Sequence, residues 1–409
     1  MKNFFNVVDI DTVCAQRTLF SVVGSEWVPL GSAGGRILAE TVTADLDIPG
    51  FARSTMDGYA LQGSATFGAS ESNPAYLEIV GSVAMGEQPD IQIGPGQAVR
   101  IATGGMLPVG ADAVVMIEHT EVLDDSTIEV YKSVAPGQYV VARGEDIAAG
   151  DRLLIRGQIL RPQEAGLLAA LGHEKVHVYR KPRVGIISTG DEVVPVTAVP
   201  GPGQIRDVNS TTLAAMTLAA GGEPRSYGIV HDSFDFLKST CSRALAENDM
   251  ILVSGGSSVG MRDFTIQAFD AQPDAEIMIH GVSISPGKPT ILGRSGDKPM
   301  WGIPGHVTSA MVVFRVLVEP FVAHLGGFDD RFRQRFTVSA RLTRNLSSSQ
   351  GRVDFVRVRL LEQDGLWHAE PVLGKSGLIQ TMVKADGLVR IAAEAEGLDK
   401  DDTVAVEMM

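Results

Sequence analysis

Apolar, strand-like runs in this chain end repeatedly in small, polar or charged residues, and those endings carry most of the side chains fit for chemistry. ISTGDEV places Thr189, Gly190, Asp191 and Glu192 directly after one such run. Backbone N–H groups following Thr-Gly suit an anion, and two adjacent acids suit a hard cation; Asp191 reads equally as the cap of the next segment. VSGGSSVGMRDF ends another run, with Gly255 and Gly256 permitting close backbone approach, Ser257 adding a hydroxyl and Asp263 near a helix start. Its physics is that of a phosphate-cradling turn, although neither the P-loop nor the dinucleotide fingerprint is present. SPGKPT sets Lys288 on a proline-framed loop as a point charge for an oxyanion. WGIPGHVTSA supplies Pro304, Gly305, His306 and Ser309 at a further strand-to-helix passage, where N–H groups favour anions. His306 by itself reads equally as a structural or surface histidine. Asp57 in STMDGYA and Asp146 in RGEDI sit beside glycines, and each reads equally as an ordinary turn.

The elements that must hold these residues follow from the pattern of the rest. Residues 1–44 begin with helical spacing at Val13, Leu19 and Val22, and residues 143–180 turn helical again through EAGLLAALG, with Gly172 as C-cap. Residues 45–142 hold short β-branched runs, AYLEIVGSV, QAVRIATGG and ADAVVMIEH, bounded by turn residues, the mark of a small β module. Residues 181–327 alternate continuous apolar strands with helix-length segments, which predicts a mostly parallel sheet covered on both faces. Ligands then belong at the carboxyl ends of its strands, where Gly190, Gly255 and Gly305 fall. Residues 328–409 return to strand character.

Composition narrows the function classes. The 49 acidic residues outnumber the 35 basic ones, for a formal net charge of −14, which argues against nucleic acid as a partner. Cys14 and Cys241 make neither a disulfide framework nor a thiolate metal site. The N-terminus lacks the pattern of a signal peptide, and Arg315 and Glu319 interrupt the longest apolar run, so the expectation is a cytoplasmic protein with no membrane span.

Taken in order, MDGYA, GED, STGDE, Asn209-Ser210, GG-S-G with Asp263, PGKP and PGH form a series similar to that of the MoeA and gephyrin E-domain family, the molybdopterin molybdenumtransferases. The resemblance runs from about Leu30 to the C-terminus, where GKSGLIQTMVKADGL also fits. It implies a discontinuous helical linker domain (1–44 and 143–180), an inserted β domain (45–142), an α/β domain like the molybdopterin adenylyltransferases of the MogA type (181–327) and a C-terminal β-barrel (328–409). It also implies a homodimer whose cleft combines the α/β domain of one subunit with the inserted domain of the other. The implied reaction takes adenylylated molybdopterin and molybdate, with Mg²⁺, to molybdenum cofactor and AMP. Carried over position by position, Asp57, Asp146, Glu192, Asp232, Asp263 and Lys288 would be catalytic, with Asp57, Glu192 and Asp263 on the metal. Thr189, Gly190, Asp191, Asn209, Ser210, Gly255, Gly256, Ser257, Pro304, Gly305, His306, Ser309, Arg352 and Ser376 would bind the cofactor. An adenylyltransferase upstream and a molybdoenzyme or its chaperone downstream are the implied partners. The chain departs from the family pattern where Val141, Gly281 and Ser285 replace basic residues, where Met261 replaces an acid and where His306 replaces asparagine. Those losses keep open a non-catalytic cofactor-binding or scaffold member as the alternative.

Overall fold

The computed structural model describes residues 7–255 and 259–409, and the side chains of all of these except 259–263. The chain divides into two compact units, one made of residues 1–40, 156–162 and 175–409, the other of residues 41–155 and 163–174.

In the larger unit, four parallel strands lie in the order Glu223–Val230, Arg183–Thr189, Met250–Ser254, Lys298–Ile303. Ile291–Ser295 and Ala275–His280 extend this sheet antiparallel. The continuous apolar runs are explained by burial on both faces. Val184, Ile186, Met250, Leu252, Trp301 and Ile303 pack with Leu213, Ala310 and Phe314 on one side. Ile187, Ile251, Val253 and Met300 pack with Leu237, Cys241, Ala244 and Phe269 on the other. Successive residues of each strand thus feed opposite cores, as a pleat with period two requires.

The connection through helix Asn209–Ala219 leads to one neighbour of Arg183–Thr189, and that through Phe234–Glu247 leads to its other neighbour. The direction of winding therefore reverses at Arg183–Thr189, and the crevice of an open α/β sheet opens at such a reversal, beyond the carboxyl ends of the strands. Thr189 and Ser254 are the last residues of the two strands flanking that point.

The same unit contains a closed five-stranded barrel of Val353–Gln363, Leu366–Pro371, Thr337–Leu342, Thr403–Met408 and Gly387–Ile391, since Val353–Gln363 pairs with both of the strands that end the row. The short strand Ile284–Ser285 adds to it in parallel, setting Ser285 opposite Asp354.

Two sequence expectations need correction here. The helical spacing near the N-terminus lasts only from Ile10 to Ala15, with Val13 buried; the chain then tightens into a 3-10 turn that leaves Leu19 exposed and buries Phe20 and Val23 in its place. The apolar run after His306 is not cut short by Arg315 and Glu319. Val307–Leu325 forms 19 helical residues with mean hydropathy 1.4, but 72% of its most apolar window is buried inside the protein, so it is a core helix.

The smaller unit carries a six-stranded sheet in the order Ala113–Met116, Gly58–Leu61, Gln97–Ile101, Ala75–Val83, Thr127–Val130, Thr120–Asp124. The helix Pro162–Ala170 starts on proline, which loses no bond at a first helical position. It ends where Gly172, at φ +81°, lets the His173 N–H reach the Leu168 carbonyl at 3.0 Å.

Candidate functional site

The switch-point crevice is built by short polar residues that tie strand ends together. Thr189 closes its strand by giving its hydroxyl to Asp232 Oδ1 at 2.7 Å. Asp232 in turn donates its backbone N–H to Asp191 Oδ1 at 3.1 Å, and His231 Nδ1 lies 3.3 Å from the same oxygen. The Asp232 N–H, then His231, hold the Asp191 carboxyl below its ordinary pKa. Gly255 must be glycine: its φ is +148°, and a Cβ there would stand 2.2 Å from the Thr189 carbonyl oxygen. Gly190, at φ +146°, lies under the Glu192 carboxylate, whose Oε2 would be 2.8 Å from an added Cβ.

Asn209 spans the next gap. Its Nδ2 donates to Ser254 Oγ at 2.7 Å and to the Gly305 carbonyl at 2.8 Å, while its Oδ1 is buried without a partner among the described residues. An acceptor orphaned at a strand-end crevice is a position that a ligand N–H or O–H would satisfy. Ser210 is held by Asp207, a buried acid that accepts from the Ser210 N–H and the Ser188 hydroxyl, each at 3.0 Å. Sequence reading passed over Asp207; an acid three residues before a helix-starting serine was the available signal.

Beside the crevice a cavity of about 650 Å³ opens, lined in part by Gly255, Lys288, Pro304, His306, Ser309, Arg352 and Ser376. Two formal cations thus face one volume, with a histidine between elements. His306 Nδ1 lies 3.1 Å from Ser376 Oγ, and Thr308 donates its N–H (3.1 Å) and hydroxyl (2.7 Å) to the Ser376 carbonyl. The turn after Lys298–Ile303 is thereby fastened to the loop bearing Ser376. Gly287 in the lysine loop has φ +126°, and a Cβ would meet Val313 Cγ2 at 2.4 Å, so Lys288 sits on a loop pressed against the core helix. Ser285, which stands where the family pattern has a basic residue, also lines the cavity, as do Ser349, Gln350 and Gly351, which were not foreseen. Single polar residues in loops carry no periodic signal, and only folding brings them there.

Asp57 and Asp146 lie in the smaller unit, apart in sequence grouping from the rest. Asp57 Oδ1 accepts the Thr103 N–H at 2.7 Å and the Thr103 hydroxyl at 2.9 Å, and these bonds hold its carboxyl below the ordinary carboxylate range. Gly58 after it has no room for a side chain, since a Cβ would fall 1.8 Å from the Val115 carbonyl oxygen. Asp146 is exposed, its N–H bonded to the Ile48 carbonyl at 3.1 Å. Gly256 and Ser257 lie outside the described residues, as does the side chain of Asp263. Among the described residues no three His, Cys, Asp or Glu side chains converge as a metal set.

Comparison with known proteins places all of these segments in one lineage. Residues 9–172 match the MoeA N-terminal region (domain I and II), residues 185–324 a probable molybdopterin binding domain, and residues 339–409 the MoeA C-terminal region (domain IV). The chain is 32% identical over 386 residues to a molybdopterin molybdenumtransferase of Bacillus subtilis, covering 93% of this chain and 89% of that one. It is 37% identical over 346 residues to one of Nostoc sp., covering 84% and 79%. Among solved structures, a molybdopterin biosynthesis MoeA protein of Pyrococcus horikoshii superimposes with a TM-score of 0.85 at 30% identity, covering 99% of this chain and 100% of that one.

Proposed function

The chain belongs to the MoeA family, and we propose that it is a molybdopterin molybdenumtransferase, inserting molybdate into adenylylated molybdopterin with release of AMP. The observation that supports this most is the pairing of a switch-point crevice with a cavity that presents Lys288 and Arg352 to one volume. Both substrates are anionic, and a chain of net charge −14 attracts an anion only where local cations and backbone N–H groups overcome the global field.

In this reading Lys288 and Arg352 hold anionic oxygen, with Ser376 and Ser285 as hydroxyl partners. The bare backbone at Gly255 lets a phosphate-bearing ligand approach the sheet edge, and Asn209 Oδ1 takes a ligand hydrogen bond. Asp191 and Asp232, ordered by Thr189 and His231, form the acidic side of the crevice. AMP leaves when the phosphoanhydride P–O bond breaks and a water oxygen takes its place on phosphorus. The pterin dithiolate supplies the sulfur ligands of molybdenum, so neither Cys14 nor Cys241 is called on. Magnesium belongs to the reading as an expectation of the family chemistry.

The reading extends to a cytoplasmic homodimer that receives its substrate from an adenylyltransferase and passes its product to a molybdoenzyme or its chaperone. The deciding experiment supplies purified protein with adenylylated molybdopterin and molybdate, with Mg²⁺ or with EDTA, and measures AMP. Molybdate-dependent AMP release is expected, lost in EDTA and restored by Mg²⁺. Tight binding of the pterin nucleotide without turnover identifies a carrier or scaffold instead. Tungstate in place of molybdate tests the choice between two oxyanions of nearly equal size and charge.

A further inference from the structure

The cavity's arginine has a partner that neither the motif series nor the comparisons assign. Asp354 is buried, at 7% exposure, as the second residue of the barrel strand Val353–Gln363. Its Oδ1 lies 2.9 Å from Arg352 Nε, and its Oδ2 lies 3.4 Å from Arg352 Nη2 while accepting the Ser348 hydroxyl at 3.0 Å. The closest of these approaches is a charge contact rather than an aligned hydrogen bond, because Arg352 Nε and Asp354 Oδ1 both remain without hydrogen-bond partners among the described residues. On its other side Asp354 stands in register with Ser285, which also lines the cavity. One carboxylate thus touches the cavity's guanidinium, tethers Ser348 beside the lining residues Ser349 and Gln350, and stands opposite a third wall.

Building on the oxyanion reading of this cavity, we propose that Asp354 is the positioning residue that sets its selectivity among tetrahedral oxyanions. A guanidinium is a planar fork, and it discriminates by geometry only when its plane is fixed. A side chain paired edge-on to a buried carboxylate cannot rotate freely, so its remaining N–H groups meet an anion of one size well and a smaller one poorly. Asp354 also cancels part of the guanidinium charge, which lowers the attraction for every dianion alike. Geometry is then what separates molybdate from the smaller, commoner sulfate.

The two effects separate experimentally. Asp354→Asn removes the charge and loosens the fork at nearly constant volume. Loss of negative charge strengthens binding of molybdate and sulfate together, whereas loss of orientation weakens only the matched anion. Calorimetric titration of the full chain with molybdate and with sulfate reads both, and a thermal melt reports folding. In the unsubstituted protein molybdate binds more tightly than sulfate. In Asp354→Asn the ratio of the two dissociation constants falls about tenfold, and Asp354→Glu recovers part of it. A ratio unchanged within twofold, whether or not both affinities move, overturns the proposal and leaves Asp354 a structural residue. An unsubstituted protein that binds neither anion overturns the reading of the cavity, and the proposal falls with it.

Discussion

Gly255→Ala is the substitution whose cost can be worked most directly from the structure. Its φ of +148° belongs to a region nearly closed to residues with a Cβ, at about 1–3 kcal/mol for each such residue. The new methyl would also start 2.2 Å from the Thr189 carbonyl oxygen and 2.8 Å from Thr189 Cγ2. Neither atom belongs to a flexible chain end, so strands Arg183–Thr189 and Met250–Ser254 must part at their carboxyl ends, where Ser188 pairs with Ser254. Losing one ladder bond there adds about 1 kcal/mol. The sum is about 2–4 kcal/mol, which for a domain of this size lowers the melting temperature by roughly 4–16 °C. The same displacement moves Thr189 away from Asp232 and shifts the cavity wall, so AMP release falls by more than the melt alone explains at 25 °C. Differential scanning calorimetry and the AMP assay check both. A variant that melts within 1 °C of the unsubstituted protein and turns over normally would refute the close-approach argument.

Other outcomes follow from single contacts. Arg357 donates to the Thr381 hydroxyl and the Gly374 carbonyl, each at 2.9 Å, and so ties down the loop that carries Ser376. Arg357→Met should cost about 1–3 kcal/mol of stability and raise KM for molybdate with a smaller change in kcat, as a denaturation series and initial rates would show. Thr103→Val removes one of the bonds that hold Asp57 below the ordinary carboxylate range. A carboxyl depressed in the folded state contributes stability above its unfolded pKa and loses it as pH falls through the folded value. Weakening the depression therefore moves the acid limb of the AMP-release profile to higher pH, and an unmoved limb removes Asp57 from that limb. Asp263→Asn, at the acid carried over from the family pattern, should lower turnover more than about a hundredfold, with the melt unchanged. Full activity would take Asp263 out of the mechanism.

Local pattern determined much of this protein in advance. AYLEIVGSV is the strand Ala75–Val83 residue for residue, and the apolar runs of residues 181–327 became a mostly parallel sheet because two-sided burial leaves its mark on every position of a strand. The same holds for Gly190 and Gly255, whose positive φ at strand ends is a requirement of the backbone itself. Helical spacing misled at Leu19, where a two-residue ambiguity between Leu19 and Phe20 is settled only by which side chain finds the core. Local pattern marked Lys288, His306 and Ser309 as anion-facing candidates and the family resemblance added Arg352 and Ser376, but that these share one cavity was beyond either. Lys288 comes from a loop of the α/β sheet, while Arg352 and Ser376 come from the barrel, and chemistry-bearing residues in loops have no period to betray their neighbours. Ser285 faces Asp354 only because one strand of two residues joins the barrel in a particular register. Register is chosen by the burial of whole faces at once, so tertiary packing alone decided that this arginine should have this acid beside it.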